Sequence, residues 1–178
     1  MVDVVRPTSD VGRTTSKLVP LLKERAKTFK EAREMLSGEL SCFFNEPKID
    51  KNLLLAKEPA DRFGITISAL KGLLGPIKAL PEDVSAEMGI TISALKGLLG
   101  PIKALPEDVS AEMVRNTLMP FADAEEARGK GGRGAVLWPL RYALSGQERS
   151  PDPFTIISIL GKDEAISRIQ KAIAILEG

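Results

Sequence analysis

Apolar residues recur at helical spacing along most of the chain. Leu18, Leu21, Leu22 and Ala26 share a face with Arg25, which predicts a helix over 16–26 with Ser16 as its cap. Thr28 followed by Glu31 is a capping-box pair, so a second helix is expected from there to about Leu36, ended by Gly38. Cys42, Phe43 and Phe44 form an apolar knot before Asn45-Glu46-Pro47, and Asp50 is placed to cap a short helix through Leu53, Leu54 and Leu55. Ser110 is placed to cap a helix through Met113, Leu118 and Phe121 towards Ala127, with Pro120 as a kink point. After the loop GKGGRG at 129–134, an apolar helix is expected at 135–146 and a turn-rich loop, GQERSPDP, at 146–153. A short helix at 154–161, ended by Gly161, precedes a last helix capped by Asp163, with Ile166, Ile169, Ile173 and Leu176 as its buried stripe. Strand-like alternation is scarce. The fold class is all-α, a bundle of short helices.

Between the third and fourth of these elements lies an exact repeat. GITISALKGLLGPIKALPEDVSAEM occupies 64–88 and recurs unchanged at 89–113. A solenoid needs three or more units, so two identical copies point to a recent tandem duplication or an artefact of assembly. Each copy reads as one amphipathic helix. In the first, Ile65, Ile67, Leu70, Leu73, Leu74 and Ile77 make the stripe, interrupted at Gly75-Pro76 and closed by Leu80-Pro81. One fold has room for one such helix. The expectation is that one copy fills the slot and the other packs as an added hairpin or exchanges between protomers.

Composition removes whole classes of chemistry. The 178 residues include no histidine and one cysteine, so a structural zinc cluster, a Ser-His-Asp triad and a Cys-His pair are all excluded. No run of eighteen apolar residues and no signal-like N-terminus are present, and a lone Cys42 suits a reducing compartment. The expected location is the cytoplasm, with no membrane partner. Net charge is +1, which excludes a uniformly basic nucleic-acid binder, but the charge is uneven. Residues 1–33 and 128–149 each carry a net +4, whereas 107–126 carry −5. Such patches can guide an anion to one face.

The candidate sites derive from that unevenness. Gly129, Gly131 and Gly134 match G-x-G-x-x-G formally, but the preceding ADAEEAR is helical and no strand leads into it, so a dinucleotide site is not expected. Arg128, Lys130 and Arg133 of this loop are candidate phosphate contacts, as are Arg25 and Lys27 of the basic N-terminal helix. Trp138 and Cys42, flanked by apolar residues, are expected in the core. Arg141 differs: it interrupts an apolar helix just before Ser150-Pro151-Asp152-Pro153. A planar guanidinium can grip a base edge or phosphate; the competing reading ties Arg141 to Asp152 or Glu148.

LWPLRYALSGQERSPDPFTIISILGKDEAISRIQKAI at 137–173 resembles the C-terminal end of bacterial-type glutamyl-tRNA synthetases, where a PLRvALTG helix, a loop and a LLGKexxLxRLxxA helix succeed one another. LLKERAKTFKEAREML at 21–36 and the Phe43-Phe44 pair resemble the segment where the anticodon-binding region of those enzymes begins. The resemblance implies the class I synthetase helical anticodon-binding fold, reading the second and third anticodon letters, U and C. It assigns anticodon contacts to Arg141, Ser150, Pro151 and Pro153. Asp152 and Pro153 stand where some members have Gly and Leu.

Residues 1–80 are expected to form a first helical subdomain containing the first repeat copy, and 81–178 a C-terminal anticodon-binding subdomain. On the same resemblance the chain is expected to be a tRNA-binding fragment of a glutamate–tRNA ligase, partnered by glutamate-accepting tRNA and not DNA. It is expected to be a monomer unless segments exchange through the duplication. No cofactor, metal or catalytic residue is expected in it. ATP and Mg would belong to a catalytic half, whose HIGH-type motif requires a histidine. The alternative is a helical protein-interaction or scaffold module derived from a synthetase tail.

Overall fold

The computed structural model describes residues 8–55, 81–128 and 132–178. The stripe of the first repeat copy from Ile65 to Ile77, with Leu80, and the glycine loop's Gly129, Lys130 and Gly131 lie outside the described residues. Eight α-helices and no strand are found among the described ones. They are α1 (Thr8–Arg25), α2 (Phe29–Ser37), α3 (Lys51–Leu55), α4 (Pro81–Lys103), α5 (Ala111–Ala127), α6 (Gly134–Ser145), α7 (Pro153–Leu160) and α8 (Lys162–Glu177). A 3-10 turn, Ser41–Phe43, lies between α2 and α3.

Several helix starts rest on the side chains the sequence marks. Thr28 Oγ1 accepts from the Glu31 amide at 3.2 Å, and Glu31 reaches back to the Lys27 amide at 2.7 Å. Asp50 Oδ1 accepts from the Asn52 amide at 2.8 Å, and Ser110 Oγ from the Met113 amide at 3.2 Å. Each relieves an orphan donor of a first turn.

Other boundaries differ from expectation. Ser16 lies inside α1, which begins eight residues earlier, and its hydroxyl donates to the Gly12 carbonyl. Asp163 lies in the first turn of α8, where its charge faces the positive helix end, because Gly161 (φ +86) serves as both the C-cap of α7 and the N-cap of α8. Pro81 opens α4 instead of closing a helix, since the amide it lacks has no partner in a first turn. From there α4 crosses the repeat junction at Gly89 and passes through Gly100-Pro101. Pro101 lies in its last turn, so it withholds only one ladder bond before the helix ends. Of the Phe43-Phe44 knot, Leu40, Cys42 and Phe43 are buried while Phe44 is 39% exposed.

The core is one cluster. Leu95, Leu98 and Ile102 of α4 meet Val114 and Leu118 of α5, Leu140 and Leu144 of α6, Ile156 of α7 and Ile169 of α8. Leu18, Leu40, Phe43 and Leu54 from the N-terminal elements join the same cluster. Gly97 lets α4 and α5 approach: a Cβ there would lie 2.4 Å from the Phe121 ring. The α4–α5 turn is tied down by Lys162–Glu107 at 2.8 Å and Lys17–Asp108 at 2.9 Å, lysines whose proximity lowers both carboxyl pKa values.

A charge sits inside this apolar interior. Arg168 is 1% exposed. Its Nη1 donates to the carbonyls of Cys42 at 2.9 Å and Leu144 at 2.6 Å, its Nη2 to that of Asn45 at 3.3 Å, and its Nε to Glu164 at 2.8 Å. One guanidinium thus serves the ends of the 3-10 turn and of α6, where the carbonyls lack helical partners. Replacing it with methionine should cost about 2–4 kcal/mol, because buried carbonyls lose their donors. Urea titration of the wild type and Arg168→Met checks this; Arg168→Lys should recover only part of the loss, having no fork to span three carbonyls.

Candidate nucleic-acid interface

Helix α6 is apolar on nearly every side: Val136, Trp138, Leu140, Tyr142, Ala143 and Leu144 are all buried. Its one cation, Arg141, lies one turn from Trp138 and holds its guanidinium 4.7 Å from the centre of the indole. The indole is fixed from behind, since its Nε1 donates to the Leu53 carbonyl of α3 at 3.0 Å. Tyr142 stacks 6.4 Å from Trp138 at an interplanar angle of 15°, and its hydroxyl accepts from the Asp50 amide at 3.2 Å. Burial pushes the Tyr142 phenol up, so it remains neutral across the physiological range. Trp138 is therefore the core residue the sequence suggests, with one ring face serving as a seat for Arg141.

The loop after α6 is held just as firmly. Gly146 (φ +66) closes the helix, and a Cβ on it would lie 2.8 Å from the Lys48 amide nitrogen. Ser145 Oγ, buried, donates to the Arg141 carbonyl and accepts from the Gln147 amide. Arg141 Nη2 donates to the Glu148 backbone carbonyl at 3.1 Å. The tie to Glu148 that the sequence suggested is real, but it runs to the main chain.

Pro151 and Pro153 are buried, and Ser150 is half-buried with its hydroxyl on the Pro151 carbonyl. Asp152 is the N-cap of α7: Oδ1 accepts from the amides of Phe154 and Thr155, and Oδ2 from the Thr155 hydroxyl at 2.7 Å. Pro153 comes next as the first helical residue. Capping absorbs the Asp152 carboxylate, a role that Asp-Pro ahead of an apolar run signals and that the sequence reading missed.

Together these elements enclose an open hollow of ≈ 460 Å³, lined by Arg133, Gly134, Leu137, Trp138, Arg141, Asp152 and Pro153. It joins three of the residues singled out from sequence: Arg133, Arg141 and Pro153. A flat ligand with an acceptor edge can lie on apolar walls there while the guanidinium meets that edge.

The cations singled out from sequence, among the described residues, are otherwise paired or placed elsewhere. Arg133 bridges Asp123 at 2.6 Å and Glu126 at 3.3 Å, and Arg128 pairs with the buried Glu125 carboxylate. The acidic stretch and the basic loop, which looked separate in sequence, interlock across the α5–α6 connection. Arg25 lies 3.6 Å from Glu39 on the other side of the chain's first turn, and Lys27 borders a different, apolar hollow with Val19, Leu22 and Phe29. No group of three or more acidic or cysteine ligands placed to hold a metal occurs among the described residues. No helix among them is long and apolar enough to cross a membrane.

Residues 75–173 match the family described as an anticodon binding domain. The chain is 31% identical over 163 residues to a glutamate–tRNA ligase of Clostridium acetobutylicum, a match covering 90% of this chain and 26% of that protein. Glutamate–tRNA ligase 1 of Methylorubrum extorquens is 37% identical over 163 residues, covering 92% and 27%. The crystal structure of a glutamate tRNA ligase from Elizabethkingia meningosepticum, in complex with its amino acid, shares the fold at a TM-score of 0.50 and 22% identity, over 94% of this chain and 30% of that one. The chain spans about a quarter of the length of the curated relatives it matches.

The cap gives the site a test of its own. Asp152→Ala should cost about 1 kcal/mol in a urea titration, whereas Asp152→Asn, an equally good cap, should cost close to none.

Proposed function

Because the chain belongs to the anticodon-binding-domain family, we propose that it reads the anticodon of glutamate-accepting tRNA, as the C-terminal region of a glutamate–tRNA ligase. The observation that carries this reading is the hollow in which Arg141 lies over Trp138 beside Pro153. Sequence-specific RNA recognition works on unpaired bases, whose edges and faces are exposed. A splayed anticodon base would pack on the apolar wall of Leu137 and Pro153 and receive the guanidinium's donors on its edge. Arginine only donates, so a base presenting donors at that position leaves both partners unsatisfied. That mismatch is the source of selectivity, and the stacked indole limits the freedom Arg141 must lose on binding.

Phosphates supply affinity without choice. Arg133, which lines the hollow, belongs to exposed ion pairs, and such pairs contribute little on their own, whereas Arg128 is held by the buried Glu125 carboxylate. A phosphate can therefore compete with Asp123 or Glu126 for Arg133 at small cost. Ser150 and Pro151 shape the loop backbone against which the neighbouring nucleotide would lie. In this reading the domain acts as a monomer in the cytoplasm. ATP and Mg belong to the part of the ligase outside this chain. The family match does not favour the protein-interaction reading.

Fluorescence titration with glutamate tRNA, and with variants altered at single anticodon positions, tests the assignment. Arg141→Ala should cost about 1–3 kcal/mol in discrimination at one anticodon base, with weaker effects at the others. Arg141→Lys should not restore it, because the ammonium lacks the planar fork. Equal losses for matched and altered anticodons would instead assign Arg141 to the phosphates or to the fold.

A further inference from the structure

The slot filled by α4 is closely shaped. Ala94, Leu95, Leu98 and Ile102 are buried in it, Lys96 reaches Glu177 on α8 at 2.6 Å, and Gly97 sits where a Cβ would strike Phe121. Each of these residues has an identical counterpart 25 positions earlier: Ala69, Leu70, Leu73, Ile77, Lys71 and Gly72. Packing of 89–105 cannot tell the two copies apart, because every side chain in that stretch is duplicated 25 positions earlier.

We propose that the slot has two registers within one chain. In the first register, 89–105 fill it and the surplus 25 residues lie upstream. In the second, 64–80 fill it and 81–105 are displaced into the connection between α4 and α5. The tethers of that connection survive the exchange, since Glu107, Asp108 and the Ser110 cap all lie after the displaced stretch. The upstream connection would then run through residues 56–63 alone. Residues 56–63 span roughly 26–29 Å when extended, and α3 already packs on α4.

What separates the registers lies outside the slot. The first extends α4 through Pro81–Met88 and packs Met88 on the core. The second gives up those turns and lengthens the α4–α5 connection, whose closure entropy grows only with the logarithm of its length. The duplication thus makes the helix replaceable from within, whatever the domain binds.

The full chain carries the test. Leu98 is 0% exposed, so an aspartate there would abolish folding if 89–105 were the sole occupant of the slot. Leu98→Asp should instead keep a cooperative thermal transition lowered by only several degrees. Leu73→Asp should melt with the wild type, and the pair L73D/L98D should show no transition. The second register also brings position 71 opposite 177. A flexible bismaleimide spanning the reach of the Lys–Glu pair should therefore cross-link K71C and E177C within one chain when combined with L98D, and not when combined with L73D; the native Cys42 is buried. A Leu98→Asp protein as unfolded as the double variant would overturn the proposal. So would a K71C–E177C cross-link confined to dimers, which would place the exchange between chains.

Discussion

The bundle depends on a buried guanidinium. Arg168 reaches from α8 to the end of the 3-10 turn, to the last turn of α6 and to its own Glu164. A charge at that depth is tolerable only because its donors meet carbonyls that helical geometry leaves unbonded. The three segments it ties lie far apart in sequence, so removing it loosens their mutual placement more than any one helix. The apolar cluster around it supplies the bulk of the burial; the guanidinium sets which carbonyl ends face one another.

The candidate interface inherits that placement. Leu144, which Arg168 holds, is one turn from Arg141, and Gly146 presses the adjoining loop against Pro47 and Lys48. From the other side, α3 holds the indole through Leu53 and the phenol through Asp50. Arg141 is thus one of few side chains in α6 that look outward, and it does so from a backbone clamped on two sides. Its neighbours carry both signs of charge, which under the proposed reading favours a choice made at a base edge over indiscriminate attraction to phosphate.

Features governed by neighbouring residues were legible in the sequence. Thr28, Asp50 and Ser110 cap where expected because a cap depends on amides two or three residues away. Arg141 stood out because a charge interrupts an apolar run. Ser16 and Asp163 misled because competing starts, further upstream or at Gly161, won once tertiary packing extended or abutted the helices. The break read at Gly75-Pro76 does not occur at its counterpart Gly100-Pro101, which lies inside α4, just as Pro20, Pro120 and Pro139 lie inside α1, α5 and α6. Arg168 gave a local signal only through Glu164 four residues earlier and the Arg of the quoted pattern; nothing nearby marked its burial, because its carbonyl partners lie 24, 123 and 126 residues away. The Trp138 ring was readable as core but not as a seat for Arg141, since helical spacing gives proximity and not which face remains open.

The chain contains a single tryptophan. Its indole forms part of the wall of the hollow, with a cation over one face and its N–H tied to a main-chain carbonyl. Anything that displaces the guanidinium from that face alters the electric field the excited ring experiences. Tryptophan emission, excited to the red of the Tyr142 absorption, should therefore report occupancy of the hollow without any added dye.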